Sequence, residues 1–114
     1  MSVLDKNKVD GIGKSKTENR LALMISDHLD WENELEHLKL LQDKMNAYIT
    51  FIESEQIYNV YPDSKSVDGF IFDFRFKHEP TENCSKLLEV FRENTKDLNI
   101  VFKVNGPDGF LYEV

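Results

Sequence analysis

The sequence predicts an α+β fold: a two-layer sandwich in which a mixed sheet of four to five strands carries two helices on one face, in the order β-β-α-β-α-β with a further short strand at the end. Three observations predict it. Residues 70–76 alternate, with Phe70, Phe72, Phe74 and Phe76 on one side and Ile71, Asp73 and Arg75 on the other, so a strand here buries one face and wets the other. Residues 31–54 and 81–97 repeat apolar side chains three or four positions apart, the period of a helix lying on a sheet. The strand patterns are separated by these helices, and one-sided strands with amphipathic helices stack as two layers.

The elements follow in order. Val9-Asp10-Gly11-Ile12-Gly13 is the first strand, weakened by its glycines, and pairs through a turn near Thr17-Glu18-Asn19 with the strand from Arg20 to Ser26. There Leu21, Leu23 and Ile25 share one face. A long helix spans Trp31 to Ser54, with Asp30 as N-cap and Glu32 and Glu34 favoured by the helix dipole. Its main stripe is Trp31, Leu35, Leu38, Leu41, Met45, Ile49 and Ile52; Leu40, Ala47 and Phe51 form a second. Together they cover more of the circumference than one sheet needs, so the surplus calls for cover by the following loop, the second helix or another subunit. Glu55 to Asp68 is a connection, marked by Pro62 and Ser64-Lys65-Ser66. After the phenylalanine strand, Pro80 leads into a helix from Thr81 to Asp97 with the stripe Cys84, Leu87, Leu88, Phe91 and Leu98. Ile100, Phe102 and Val104 alternate as a strand, Asn105-Gly106-Pro107-Asp108-Gly109 is a turn, and Phe110 to Val114 is the short last strand. The unit from Phe70 to Val104 is expected to be parallel, while strand order is not legible.

Composition bounds the function. The chain has 114 residues, which suits one α+β domain over 1–114. Acids outnumber bases 21 to 14, a net charge of −7 that repels nucleic-acid phosphates. No apolar run is long enough for a membrane span, and Met1 to Lys8 lacks the apolar core of a secretory signal. A single cysteine, Cys84, favours a reducing, cytoplasmic setting. The charge is uneven: residues 21–38 contain no base and five acids, Asp27, Asp30, Glu32, Glu34 and Glu36.

The runs Val9-Asp10-Gly11-Ile12-Gly13, Ile25-Ser26-Asp27-His28-Leu29-Asp30-Trp31, Glu36-His37-Leu38-Lys39-Leu40-Leu41-Gln42-Asp43-Lys44-Met45-Asn46-Ala47-Tyr48 and Phe51-Ile52-Glu53-Ser54 together resemble a family of short bacterial proteins of unknown function. The resemblance covers the first half of the chain. It implies a bacterial origin and a free-standing domain, and it carries no activity and no site residues. It also implies a glycine at the end of the long helix, where this chain has Glu55.

Four features carry chemistry. Asp30, Glu34 and His37 stand at i, i+4 and i+7 beside Asp27 and His28, a spacing that can bind a divalent transition metal; the simpler reading is dipole complementation and ion pairing. Cys84 falls in the first turn of its helix, where the dipole lowers a thiol pKa, with His78 as a nearby base; its place on the apolar stripe instead suits a buried small hydrophobe. Trp31, the only tryptophan, is either a core anchor or an exposed binding residue among the acids. Gln42 and Asn46 flank the stripe, as ligand donors or as solvated helix surface. P-loop, nucleophile-elbow and zinc-finger patterns are absent from the sequence.

The reading that follows is a non-enzymatic acidic protein-interaction domain, immunity-like or regulatory, with no cofactor and no metal. Its partner surface comprises Asp27, His28, Asp30, Trp31, Glu34, His37, Gln42 and Asn46. It meets a basic protein partner, with neither nucleic acid nor membrane, and self-associates as a homodimer through the residue 31–54 helix. The alternative is a small metal-dependent enzyme using the acid/His cluster at residues 27–37, which needs a cleft where those groups converge.

Overall fold

The structure, a computed structural model, describes residues 3–4 and 8–114. β1 (Gly11–Lys14) and β2 (Arg20–Asp27) form an antiparallel hairpin. Its turn is held by Ser15, whose Oγ accepts from the backbone N–H groups of Thr17 and Glu18. The chain then crosses through α1 (Glu34–Glu53), the short α2 (Gln56–Val60) and a 3-10 turn at Pro62–Ser66 to reach β3 (Gly69–Phe76), which runs parallel to β2. α3 (Glu82–Asn94) and a second 3-10 turn return it to β4 (Ile100–Gly106), parallel to β3. β5 (Gly109–Glu113) folds back antiparallel at the edge. The five strands lie in the sheet in chain order. This is the mixed sheet of a two-layer α+β sandwich, and the last short strand is present.

Alternation decides which face is inside. Leu21, Leu23 and Ile25 of β2, Phe70, Phe72, Phe74 and Phe76 of β3, and Ile100, Phe102 and Val104 of β4 are all buried in one cluster with Leu41, Met45 and Tyr48 of α1 and Cys84 and Leu88 of α3. The four-ring ladder is therefore the floor beneath the helices. The opposite face carries a polar lattice. Arg75 pairs with Asp73, Asn105 donates to Asp73, and Lys103 and Arg20 both pair with Glu18. The bond from Lys103 lowers the Glu18 carboxyl below its ordinary range.

Three boundaries depart from expectation. α1 begins at Glu34 rather than Trp31, and Asp30 is not its cap: the Asp30 carboxylate accepts from the Glu32 N–H inside the preceding turn, leaving Asn33 as the N-cap residue. At the far end Glu55 takes the left-handed conformation itself, at φ 65°, where a glycine was implied. The second helix stops at Asn94, because Thr95 turns its hydroxyl back onto the Phe91 carbonyl and the chain tightens into the 3-10 turn.

The later start leaves Trp31 outside α1, while Leu41, Met45 and Ile52 of the expected stripe lie inward. The buried face of the helix is His37, Leu41, Lys44, Met45, Tyr48 and Ile52, whereas Leu35, expected on the stripe, is 82% exposed. The surplus apolar surface is covered from within the chain. Val3 and, from α2, Ile57 are fully buried in the same core, and Leu40 and Phe51 are half-buried against it. The connection after α1 thus supplies part of the expected cover, and Leu35 remains exposed. Among the described residues, no helix is long and apolar enough to cross a membrane.

Candidate functional site

The turn from β2 into α1 gathers most of the polar residues singled out by sequence, but it uses them in two ways. Asp27 and His37 face inward, each 2% exposed. His37 Nδ1 lies 2.8 Å from the Asp30 carbonyl oxygen, which can only accept, so Nδ1 carries a hydrogen. Nε2 lies 2.5 Å from Asp27 Oδ2, and these two atoms hold one proton between them. The other carboxylate oxygen of Asp27 accepts from the Leu29 N–H at 3.1 Å. Burial raises the Asp27 carboxyl above its ordinary range, outweighing the bonds from His37 and Leu29 that act to lower it. Trp31 closes the corner. Its ring stacks on His37 at 3.7 Å between centroids and 17° between planes, and leans on Phe76. The corner thus fastens the end of β2, the turn and the first turns of α1 to one another.

The remaining acids face out. Asp30, Glu32 and Glu36 are exposed, and Glu34 joins α1 to α3 by accepting from Asn83 Nδ2 at 3.0 Å. Hydrogen bonds from Thr81 and Asn83 lower the Glu34 carboxyl below its ordinary range, so it stays charged. His28, Gln42 and Asn46 are exposed as well. The eight residues therefore do not form one surface: Asp27 and His37 belong to the interior, Trp31 to its lid, and Gln42 and Asn46 to the solvent face of α1 beyond the acids.

For the metal alternative, Asp30, Glu34 and His37 do not converge. Both His37 ring nitrogens are engaged, and the described residues contain no group of three or more His, Cys, Asp or Glu placed to hold a metal ion. Cys84 is fully buried, and burial, with Asp27 and Glu34 adding to it, pushes its thiol up to about 12. Thr81 Oγ1 accepts from the Cys84 N–H, so the helix start is capped at the backbone while the thiol itself is not activated. A hollow of about 680 Å³ lies between residues 8–9, α1 and α2 and is lined by Asn46, Ala47, Phe51, Gln56 and Val60 among others. Asp27, His28, Asp30, Glu34, His37 and Cys84 are not on its wall.

Sequence reading missed a second fastener. Lys44, fully buried, donates to Asp10 Oδ1 at 3.0 Å and to the Lys8 carbonyl at 2.5 Å. Asp10 Oδ2 accepts from the Ser26 N–H, and the Asp10 N–H donates to Tyr48 Oη, which donates to the Met24 carbonyl. Burial raises the Tyr48 phenol, so it remains a donor. The signal was available: Lys44 stands between Leu41 and Tyr48 on the core face, and a lysine there needs a buried acid.

Fold and corner together define a small two-layer α+β domain whose long helix is pinned to the sheet by two buried polar networks, one at each flank. The chain belongs to the family of unknown function DUF6572, whose model matches residues 1–108. No curated protein and no solved structure matches it.

Proposed function

We propose that the chain is a non-enzymatic protein-interaction domain that meets a basic partner through the acidic shoulder at the start of α1. One observation carries this: Leu35, 82% exposed, is flanked by Glu34 and Glu36, with Glu32 one turn before, in a segment from 21 to 38 that contains no base. An apolar anchor inside a charged rim is how interfaces divide their work, the anchor holding the complex and the rim speeding encounter and choosing the partner. The bonds that keep Glu34 ionised and fixed against α3 strengthen this reading. So does the state of the groups an enzyme would use, since His37 has no free nitrogen and the Cys84 thiol is shifted away from reactivity. An immunity-like or regulatory role in the cytoplasm fits a small acidic domain with one thiol.

The test is co-purification from native lysate at several salt concentrations, with wild type, Leu35→Ser and Glu32→Lys/Glu36→Lys. These side chains are exposed and leave the core intact. The expected result is a partner lost in both variants and weakened by salt in the wild type. Partners that survive both variants unchanged refute the shoulder as the working surface.

A further inference from the structure

At the carboxyl ends of the three parallel strands the charge of the molecule reverses. A hollow of about 370 Å³ opens there, walled by Ser26 and Asp27 at the end of β2, His28 just after it, Arg75 of β3, Lys77 just beyond it, and Gly106 at the end of β4. The wall is cationic in a chain of net charge −7. Arg75 commits Nε and Nη2 to Asp73 Oδ2 at 3.2 and 3.0 Å, which leaves Nη1 and its two N–H groups unbonded among the described residues. The Lys77 ammonium has no ion pair or hydrogen bond among the described residues, and the His28 ring has no hydrogen bond there. Two carboxylates are close. Asp73 offsets the Arg75 charge and Asp27 shares its proton with His37, so the Lys77 ammonium supplies the net positive charge of the hollow.

We propose that this hollow is an oxyanion site that takes a phosphate group, free or as a phosphomonoester, with the Arg75 guanidinium, the Lys77 ammonium and the His28 ring as its donors. A guanidinium edge beside an ammonium matches tetrahedral phosphate oxygens, and each such charge-assisted bond is strong enough for its loss to be read in affinity. The site lies on the sheet side of the β2–α1 corner and is distinct from the acidic shoulder, so its failure leaves that reading untouched.

The experiment is a titration of the full chain followed by side-chain NMR of His28, Arg75 and Lys77, at constant ionic strength made up with chloride. Inorganic phosphate and glycerol phosphate are the probes, with acetate as the carboxylate control. Expected are saturable shifts with phosphate, glycerol phosphate or both, at a dissociation constant of roughly 1 mM. Binding should fall at least ~10-fold in Arg75→Gln/Lys77→Gln and stay unchanged in Lys39→Gln, an exposed lysine on α1. A response to glycerol phosphate alone assigns a phosphomonoester, and one to inorganic phosphate alone assigns the free ion. Shifts that do not saturate, that acetate reproduces, or that survive in a folded Arg75→Gln/Lys77→Gln protein overturn the proposal.

Discussion

Lys44→Met separates the buried network from the packing that surrounds it. Methionine keeps the length of the stem and removes Nζ, and with it the bonds to Asp10 Oδ1 at 3.0 Å and to the Lys8 carbonyl at 2.5 Å. The Asp10 side chain, 1% exposed, is then a buried carboxylate supported on its other oxygen by the Ser26 N–H at 2.9 Å. Removing one member of a buried pair costs about 3–5 kcal/mol, because the charge left behind is uncompensated. For 114 residues the entropy of unfolding is about 0.24 kcal/mol/K, so the melting temperature should fall by roughly 12–20 °C. Asp10→Asn removes the same ion pair from the other side and should also lower the melting temperature. The double variant removes both charges while the amide still accepts from Ser26, so it should be more stable than the sum of the singles implies by at least ~1 kcal/mol. Calorimetry with parallel urea unfolding reads all three. A Lys44→Met protein that melts within about 4 °C of wild type, or additive singles, would show that the pair contributes little.

Four further outcomes follow from the corner and the helix ends. Asp27→Asn can donate its amide N–H to His37 Nε2 and accept from Leu29, so it should cost less than ~1 kcal/mol, whereas His37→Leu orphans the carboxylate and should cost about 3 kcal/mol or more. Because the Asp27 carboxyl is raised in the folded chain, its protonation favours folding: relative to Asp27→Asn, wild type should be most stable below about pH 3.9 and lose that advantage as the pH rises through the elevated value. Urea unfolding across pH checks both, and a relative stability that rises with pH contradicts the assignment. Cys84 should alkylate far more slowly than a free cysteine at neutral pH, since a thiol at about 12 holds about a thousandfold less thiolate than one at the ordinary 9.0; rapid labelling of the native protein would mean the core opens there. Glu55→Gly should relieve the left-handed strain at φ 65° and raise stability by about 1 kcal/mol, or roughly 4 °C, and a loss would show that the Glu55 side chain contributes something its conformation does not reveal.

Much of the fold was legible because it rests on short-range alternation. Phe70 to Phe76 names its own inner face, and the same holds for Leu21, Leu23 and Ile25. The first turn of α1 was not: Leu41, Met45 and Ile52 lie inward as their spacing implies, but Leu35 does not. Asp30 carries the sequence marks of a cap, but its carboxylate serves the turn, α1 begins at Glu34, and Leu35 lies exposed in its first turn. The corner was half legible. Asp27, Asp30, Trp31 and His37 were recognised as neighbours, yet their spacing could not show that His37 spends both nitrogens inward. Asp10 and Lys44 are 34 positions apart in the chain, and only the hairpin and the sheet bring them together.

The parallel contact between β2 and β3 joins residues forty-nine positions apart, Leu21 to Phe70 and Ile25 to Phe74. Closing so long a span is slow, since the loop entropy is lost before the strand is rewarded. Until it closes, one edge of the four-ring strand is unpaired and can add to another unfolded copy. Recovery from denaturant should therefore be limited by collisions between chains: dilution favours the native form, and crowded refolding leads to precipitate.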